Sequence, residues 1–333
     1  MLLAKSLATA AALMLGGSAL FAADVDPAII FDLGGKFDRS FNQAAFEGAE
    51  KFKADTGIAY HEFELQSDSQ REQAIRRFAE QGYNPVISVG FSSASALNAV
   101  APDFPDTDFA IIDMVVEQPN VRSIVFNEHE GSYLVGVLAA LASKTGKVGF
   151  VGGMDIPLIQ KFACGYVQGV KATNPNAEVF QNMTGTTGAA WNDPVKGGEL
   201  AKSQIDRGAD VIYHAAGGTG IGVLQAAADA GVLGIGVDSN QNYLHPGQIL
   251  TSMLKRVDLA TYGTMMDVKD GKFTPGVKVL GLSEDGVGYA VDDNNKALLT
   301  PEMIASVEAA KAKIVAGEIT VHDYTTDSAC PVK

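Results

Sequence analysis

The sequence predicts an α/β protein built from two doubly wound domains with parallel sheets. Short apolar runs rich in Ile, Val and Ala alternate with helix-like runs of roughly ten to fifteen residues along the chain. The strand-like runs are almost continuously apolar, which is typical of strands covered by helices on both faces. The same alternation occurs twice, and 333 residues exceed what one ordinary core requires.

The first residues have the pattern of a secretory signal and are not expected to belong to the fold. Lys5 precedes an apolar run, Leu7–Ala22, that ends in small residues. This pattern favours cleavage after Ala22 or Ala23. A retained membrane anchor is the less favoured alternative, because the run is short and terminal. No cysteine follows the run, so a lipid anchor is not indicated.

The remaining elements form two series joined by a short return segment. The first series is strand Ala28–Asp32, helix Asn42–Thr56, strand Ala59–Leu65, helix Ser69–Gln81, strand Pro85–Val89, helix Ser93–Ala101 and strands Asp108–Ile112 and Arg122–Phe126. The second is helix Glu130–Ser143, strand Lys147–Val151, helix Pro157–Asn174, strand Glu178–Met183, helix Pro194–Arg207, strand Val211–His214, helix Ile221–Ala230 and strands Gly234–Val237 and Ile249–Leu254. Helix Leu259–Asp270, strand Val277–Leu282 and helix Pro301–Ala316 close the chain.

The domain boundaries follow from these series. After a signal at residues 1–23, we assign 24–127 plus about 256–285 to domain 1, and 128–255 plus about 286–333 to domain 2. The chain crosses near Asn127–Gly131 and returns near Lys255–Asp258. Two domains joined by several segments without a long linker favour a hinge, with a ligand cleft between the domains.

Charge and motif content exclude several classes of function. The formal net charge of −14 makes nucleic acid and anionic membrane surfaces poor partners. The five histidines are scattered, and the chain lacks zinc-ligand spacing, a GxSxG elbow, a CxxC pair and a calcium loop. We therefore predict no catalytic residue, metal site or cofactor.

Two cysteines, Cys164 and Cys330, are present. In an oxidising compartment an even pair favours a disulfide, which would fasten the C-terminal tail to the helix containing Cys164. The alternative is two separate thiols, because sequence alone does not bring the two Cα atoms within bonding reach.

Several predicted strands end in a polar residue or a glycine turn. Asp32, Asp113, Asp238 and Lys255 each follow an apolar strand, and Gly217–Gly220 follows another. The carboxyl ends of parallel strands lie along one rim, where α/β proteins bind ligands. A single acid is more often a turn residue or helix cap. Three acids in equivalent positions favour a site, at which three carboxylates and one ammonium would repel phosphate.

Three loop features complete the predicted site. Phe31–Asn42, FDLGGKFDRSFN, joins a strand to a helix and carries Phe41 and Asn42; the alternative is a surface loop capped by Asp or Ser. Trp191 lies in the loop-like run TGAAWNDP and could stack on a ligand or cover a domain edge. The glycine run Gly217–Gly222 lacks phosphate-loop spacing and is interpreted as a cradle for neutral groups or a tight turn.

Seven segments together resemble the basic membrane protein family, the purine-nucleoside-receptor-like branch of ABC-transporter solute-binding proteins. They are DLGGKFDRSFNQAAFEG (Asp32–Gly48), FAIID (Phe109–Asp113), FNEHEGSYLVGVLAA (Phe126–Ala140), WNDPVKGGELA (Trp191–Ala201), HAAGGTGIGVLQAA (His214–Ala227), GIGVDSNQ (Gly234–Gln241) and TSMLKRVD (Thr251–Asp258). The resemblance implies the type I periplasmic binding protein fold and a purine nucleoside ligand. It also implies an ABC permease in the inner membrane as partner. The family name implies a basic, membrane-anchored protein, whereas this chain is acidic and has no lipid-attachment cysteine after the signal, so we expect a monomer that is free in the periplasm.

The resemblance also implies roles for individual residues. Phe41 and Trp191 would stack on opposite faces of the base. Asp32, Asn42 and Asp113 would address the base edge. Asp238 and Lys255, with the backbone of Gly217 or Gly218, would address the ribose hydroxyls. The alternatives are an exported nucleoside hydrolase that uses the same acids, and a sensor subunit that reports ligand to a membrane receptor.

Overall fold

The computed structural model describes residues 25–332 and contains two six-stranded sheets flanked by helices. The strands are β1 (Ala28–Phe31), β2 (His61–Glu64), β3 (Val86–Ser88), β4 (Phe109–Ile112), β5 (Val121–Phe126), β6 (Lys147–Met154), β7 (Glu178–Gly185), β8 (Val211–Ala215), β9 (Leu233–Asp238), β10 (Ile249–Lys255), β11 (Gly276–Leu280) and β12 (Val287–Tyr289). The predicted signal at residues 1–23 lies outside the described residues.

The helices are α1 (Phe41–Thr56), α2 (Arg71–Glu80), α3 (Ala94–Val100), α4 (Glu128–Ala142), α5 (Pro157–Thr173), α6 (Pro194–Asp206), α7 (Gly220–Asp229), α8 (Val257–Lys269) and α9 (Pro301–Val315). Within the described part of the chain, none of them is both long and apolar enough to cross a membrane.

The two sheets have the topology of doubly wound domains. Sheet 1 has the order β11-β5-β4-β3-β1-β2, and all of its strand pairs are parallel. Sheet 2 has the order β12-β10-β9-β8-β6-β7 and is parallel except where β12 runs against β10. The predicted α/β class with two parallel-dominated sheets is therefore confirmed. The antiparallel strand β12 was not predicted, because three residues carry no periodicity.

The chain passes between the two sheets three times. β5 in sheet 1 leads into α4, which packs on α5. β10 in sheet 2 leads into α8, which packs on α1. Residues 281–286 then connect β11 in sheet 1 to β12 in sheet 2. The two domains proposed from the sequence would therefore be joined by three connecting segments.

The central strands are buried because helices cover the sheets on both faces. Each residue of β1, AIIF, is at most 1% exposed, as expected for a central parallel strand between two helical layers. β2, HEFE, lies at the edge of sheet 1, and its polar residues remain partly exposed. Packing on both faces fixes the positions of the central strands. The polar residues at their carboxyl ends are therefore held in place as well.

The C-terminal tail is fastened to α5. A disulfide joins Cys164 of α5 to Cys330. Next to it, Gln168 donates to the backbone carbonyl of His322 at 3.0 Å and accepts from the backbone N–H of His322 at 2.8 Å. The tail is therefore held against α5 at two points.

Candidate functional site

The carboxyl ends of the two sheets enclose one cavity. Most of the residues predicted for the site line it: Asp32, Phe41, Asn42, Asp113, Trp191, Gly217, Asp238 and Lys255. Gly218, the remaining predicted residue, does not line the cavity. It lies where the two halves meet, since a Cβ added there would be 3.9 Å from Cβ of Asp38. The structure thus brings together residues that are far apart in sequence and belong to both sheets.

Lys255, the last residue of β10, provides the positive charge of the cavity. Its side chain is 2% exposed, and its Nζ donates to Oδ2 of Asp113 at 2.7 Å. The same Nζ lies 3.0 Å from Oε1 of Glu128. Burial opposes the charge on Lys255, but the carboxylates of Asp113, Glu128 and Asp238 outweigh burial and raise its pKa. Lys255 is therefore a permanent ammonium at any physiological pH.

Aromatic rings surround that ammonium. The Nζ of Lys255 lies 5.1 Å from the ring centroid of Phe41, 5.1 Å from that of Phe126 and 5.5 Å from that of Phe162. Cation–π attraction of this kind holds an ammonium in place without using its hydrogen-bond donors. A donor of Lys255 can then serve a ligand.

Asp113 and Asp238 are buried acids at the ends of β4 and β9. Both have left-handed backbone, with φ of +75° and +63°, a conformation that Asp tolerates better than most residues. Oδ1 of Asp113 is buried without a hydrogen-bond partner among the described residues. Burial raises the pKa of each acid to about 6, against the opposing effect of Lys255.

Asp32 is held by partners that the sequence did not indicate. Its Oδ1 lies 2.6 Å from Nη2 of Arg71 in α2. Gly90 makes room for this pair, because a Cβ at Gly90 would lie 2.2 Å from Oδ2 of Asp32. The carboxamide of Asn42 accepts from the backbone N–H of Asp32 at 3.0 Å and donates to its carbonyl at 3.2 Å. Asn42 therefore fixes the backbone at the end of β1, and its remaining amide hydrogen is what it can offer a ligand.

The N-terminus of α1 is capped by Asp38. The Asp38 carboxylate accepts from the backbone N–H groups of Ser40 at 2.8 Å, Asn42 at 3.0 Å and Gln43 at 3.1 Å. These bonds satisfy backbone donors that a helix start leaves unpaired. Asp38 has the capping role that the alternative interpretation gave to this loop, but Asp38 is buried and lines the cavity, so the loop is not merely a surface turn. The cap fixes the position of Phe41 at the start of the helix.

Phe41 and Trp191 line the cavity from different halves of the molecule. Phe41 begins α1 on the side of sheet 1. Trp191 ends a short 3₁₀ turn, Gly188–Trp191, on the side of sheet 2. The indole packs closely against Gly153, where an added Cβ would be 2.2 Å from the ring. Two aromatic side chains therefore line one cavity.

Several further lining residues were missed by the sequence analysis. They are Leu33, Asp38, Gly90 and Phe91 on one side and Leu158, Ile159, Phe162, Ala215, Ala216 and Val237 on the other. The apolar members resemble ordinary core residues in sequence. Asp38 and Phe91, which each follow a strand end and a glycine turn, carried a signal that strand-end reasoning uses.

Direct hydrogen bonds close one edge of the cavity. The Ser40 hydroxyl donates to Oδ2 of Asp238. The Ser239 hydroxyl donates to the carbonyl of Ser40 at 2.8 Å, and Gln241 donates to the carbonyl of Arg39 at 2.9 Å. The loop before α1 and the loop after β9 are therefore in contact across the cleft.

The site is built for binding polar and flat groups. Within residues 25–332, no cluster of three or more His, Cys, Asp or Glu side chains is arranged to hold a metal ion. Buried carboxylates and an ammonium suit hydroxyl and amide groups, and aromatic faces suit a ring.

Comparisons with known proteins agree with this architecture. The model of the Bmp family, described as "ABC transporter substrate-binding protein PnrA-like", matches residues 27–325. The chain is similar to the ABC transporter nucleoside-binding protein BmpA of Lactococcus lactis, with 35% identity over 92% of this chain and 91% of that protein. An uncharacterized lipoprotein of Pyrococcus abyssi is 36% identical over 80% of this chain and 69% of its own length.

Among solved structures, the chain resembles an ABC transporter system solute-binding protein from Aeropyrum pernix K1. The TM-score is 0.82, with 30% identity over 90% of this chain and 93% of that chain. The family model covers nearly all described residues, and the fold agrees with that of the solute-binding protein. The chain therefore belongs to the Bmp family of PnrA-like ABC transporter substrate-binding proteins.

Proposed function

We propose that the protein binds a purine nucleoside in the cleft between its two halves and delivers it to an ABC importer. The observation that carries this proposal is that Phe41 and Trp191 line one cavity together with buried acids and Lys255. A relative with 35% identity is named a nucleoside-binding protein, which supports the same ligand class.

The ring of the base would lie between the two aromatic side chains. Stacking of a base on an aromatic side chain contributes about 1–3 kcal/mol per contact. A cleft that closes over the ring provides two such contacts and excludes water from the polar groups around it. Micromolar to nanomolar binding requires about −8 to −12 kcal/mol, and stacking together with hydrogen bonds to ionised groups reaches that range.

The ribose hydroxyls would donate to Asp238 and accept from Lys255. Oδ2 of Asp238 already accepts from Ser40, so Oδ1 is the oxygen with more acceptor capacity to offer the ligand. On the other side of the cleft, Oδ1 of Asp113 has no partner among the described residues and would accept from a donor on the base edge. A purine carries such donors on its edge and two hydroxyls on its sugar.

Phosphorylated ligands are disfavoured by the charges of the cavity. Four acids, Asp32, Asp38, Asp113 and Asp238, line the cavity together with Lys255. The charge of Lys255 is already balanced by Asp113 and Glu128. A phosphate placed there would meet more negative than positive charge in a poorly solvated space. We therefore infer selection of nucleosides over nucleotides.

The carrier would act outside the cytoplasm. The N-terminal pattern of residues 1–23 supports export, and the absence of a cysteine directly after it distinguishes this chain from a lipid-anchored relative. We place the protein free in the periplasm as a monomer, with an inner-membrane permease as its partner.

Mass spectrometry of the small molecule released on denaturing purified protein tests the ligand class. A purine nucleoside is the expected product, and a sugar, amino acid or peptide would overturn the proposal. Overnight incubation with inosine separates a carrier from a hydrolase, because only an enzyme releases free hypoxanthine.

A further inference from the structure

A chain of buried ion pairs leads away from the cleft toward the C-terminal tail. Lys255 lies 3.0 Å from Glu128, Glu128 lies 3.1 Å from Lys161, and Lys161 lies 3.3 Å from Asp323. Each distance joins a side-chain nitrogen to a carboxylate oxygen. The side chains of Glu128 and Lys161 are 1% and 9% exposed. Charges buried to this degree are costly unless each is paired, and here each charge has a partner of opposite sign.

The backbone around Lys161 and Glu128 fixes their geometry. Nζ of Lys161 donates to the carbonyl of Phe126 at 2.7 Å, where β5 ends and the chain crosses between the sheets. Glu128 is the first residue of α4, where the helix dipole favours a carboxylate. α4 and α5 pack closely, since a Cβ at Gly165 would lie 2.3 Å from the carbonyl oxygen of His129. The two charged side chains are therefore held at fixed separation.

The C-terminal tail places Asp323 at the far end of the chain of ion pairs. The Asp323 carboxylate accepts from the backbone N–H of Thr325 at 2.8 Å and from its hydroxyl at 2.7 Å. The residue before it, His322, is bonded through its backbone to Gln168 of α5. The disulfide at Cys330 holds the following residues to the same helix. Asp323 thus meets Lys161 because the tail is fastened on both sides of it.

We propose that Glu128 and Lys161 are positioning residues of the ligand site, which together hold the Lys255 ammonium in place in the cleft. Neither residue lines the cavity, so both act through Lys255. Lys161 provides the second positive charge that Glu128 needs. Without Lys161, Glu128 would compete with Asp113 and Asp238 for the Lys255 ammonium. One of these three acids would then take up a proton.

The charge balance involves groups from every element packed around Lys255. They are Asp113 after β4, Asp238 of β9, Glu128 and His129 of α4, Lys161 of α5, Asp38 before α1, and His322 and Asp323 of the tail. The tail groups lie farthest from Lys255 and act on it through Lys161. What this proposal predicts for ligand affinity rests on the proposed function. What it predicts for the protonation of Asp113 and Asp238 does not.

The test is a charge cycle read on the protein without ligand. Carboxyl ¹³C NMR of aspartate-labelled protein follows the titration midpoints of Asp113 and Asp238, assigned with single Asp→Asn variants. Lys161→Met removes a positive charge and raises both midpoints by about one pH unit. Glu128→Gln removes a negative charge and lowers them. The double variant restores the balance and returns them to the parent values.

Opposite signs distinguish positioning through charge from a merely structural role, because general destabilisation does not move the midpoints in opposite directions. Lys296→Met is the matched control: it removes a lysine that is 65% exposed and paired with Asp293 on the surface, and it leaves the midpoints unchanged. If Lys161→Met fails to fold, Asp323→Asn replaces it. This variant removes the negative partner of Lys161 and lowers the midpoints. If the Asp113 and Asp238 midpoints are unchanged in Glu128→Gln and in Lys161→Met or its replacement, the proposal is overturned.

Calorimetry with inosine and guanosine adds the ligand readout. In each variant, the pH at which affinity is half lost moves with the NMR midpoints. A parent protein that binds neither nucleoside contradicts the proposed function, and the NMR cycle still decides the role of Lys161 and Glu128. If the parent protein binds a nucleoside and the Lys161→Met variant binds it with the same affinity and the same pH dependence, the positioning role is contradicted.

Discussion

Replacing Asp238 by Asn tests the ribose contact with little disturbance of the fold. Asp238 has φ of +63°, and Asn is well tolerated in that region, whereas Ala there adds backbone strain of about 1–2 kcal/mol. The Asn side chain keeps the size of the carboxylate and a neutral acceptor oxygen, but it removes the charge. The variant therefore isolates the charge-assisted part of the bond to the ligand.

The size of the effect follows from the oxygens that are available. Ser40 already donates to Oδ2 of Asp238, so we count one hydrogen bond from a ribose hydroxyl to Oδ1. A hydrogen bond to an ionised group contributes about 1.5–3 kcal/mol, which corresponds to a loss of about 10- to 150-fold in affinity for a ribonucleoside. The difference in affinity between the ribonucleoside and its 2′-deoxy analogue should also become smaller. The deoxy ligand lacks the 2′-hydroxyl, so the substitution weakens its binding less.

Isothermal titration calorimetry of guanosine, inosine and their 2′-deoxy analogues measures both effects. Asp285→Asn is the matched control, because Asp285 also has left-handed backbone, with φ of +53°, and its side chain is 82% exposed outside the cleft. Parent affinity and parent discrimination in Asp238→Asn, with a correctly folded protein, would remove Asp238 from the site and refute the ribose assignment.

Three further predictions concern pH, stacking and the disulfide. Since burial raises the pKa of Asp113 and Asp238 to about 6 and the ligand needs the ionised forms, affinity should fall as pH drops below 6, by about tenfold per unit for each acid. Calorimetry between pH 8 and pH 5 checks this, and constant affinity would contradict it. Trp191→Ala should cost about 1–3 kcal/mol of binding while Trp191→Phe keeps most of it, and equal affinities in the two variants would argue against stacking. Replacing Cys164 and Cys330 together by Ser should lower the free energy of unfolding by about 2–5 kcal/mol in urea titrations; an unchanged midpoint would show that the bond adds no stability.

Sequence reasoning predicted the features that depend on the ends of parallel strands. Asp113, Asp238 and Lys255 each follow a central strand, and strands with a common direction bring their ends to one rim. Their gathering at one cavity could therefore be predicted without knowledge of side-chain packing. The loop patterns suggested Phe41 and Trp191 as ligand contacts, but their roles on opposite faces of one base came from the family resemblance, because loops follow no comparable periodic rule.

The remaining features depend on tertiary contacts that local pattern does not contain. The pairing of Glu128 with Lys161 requires the close packing of α4 on α5. Arg71 reaches Asp32 because α2 covers sheet 1 next to β1. The carboxamide of Asn42 binds backbone at the end of β1, a role that a polar residue in a loop does not reveal in sequence.

A crystal structure of the protein with guanosine tests the central claim most directly. The account predicts a purine ring held between Phe41 and Trp191, with the ribose hydroxyls in hydrogen-bond contact with Asp238 and Lys255. A nucleoside bound elsewhere, or a base that touches neither aromatic ring in a closed cleft, would contradict it.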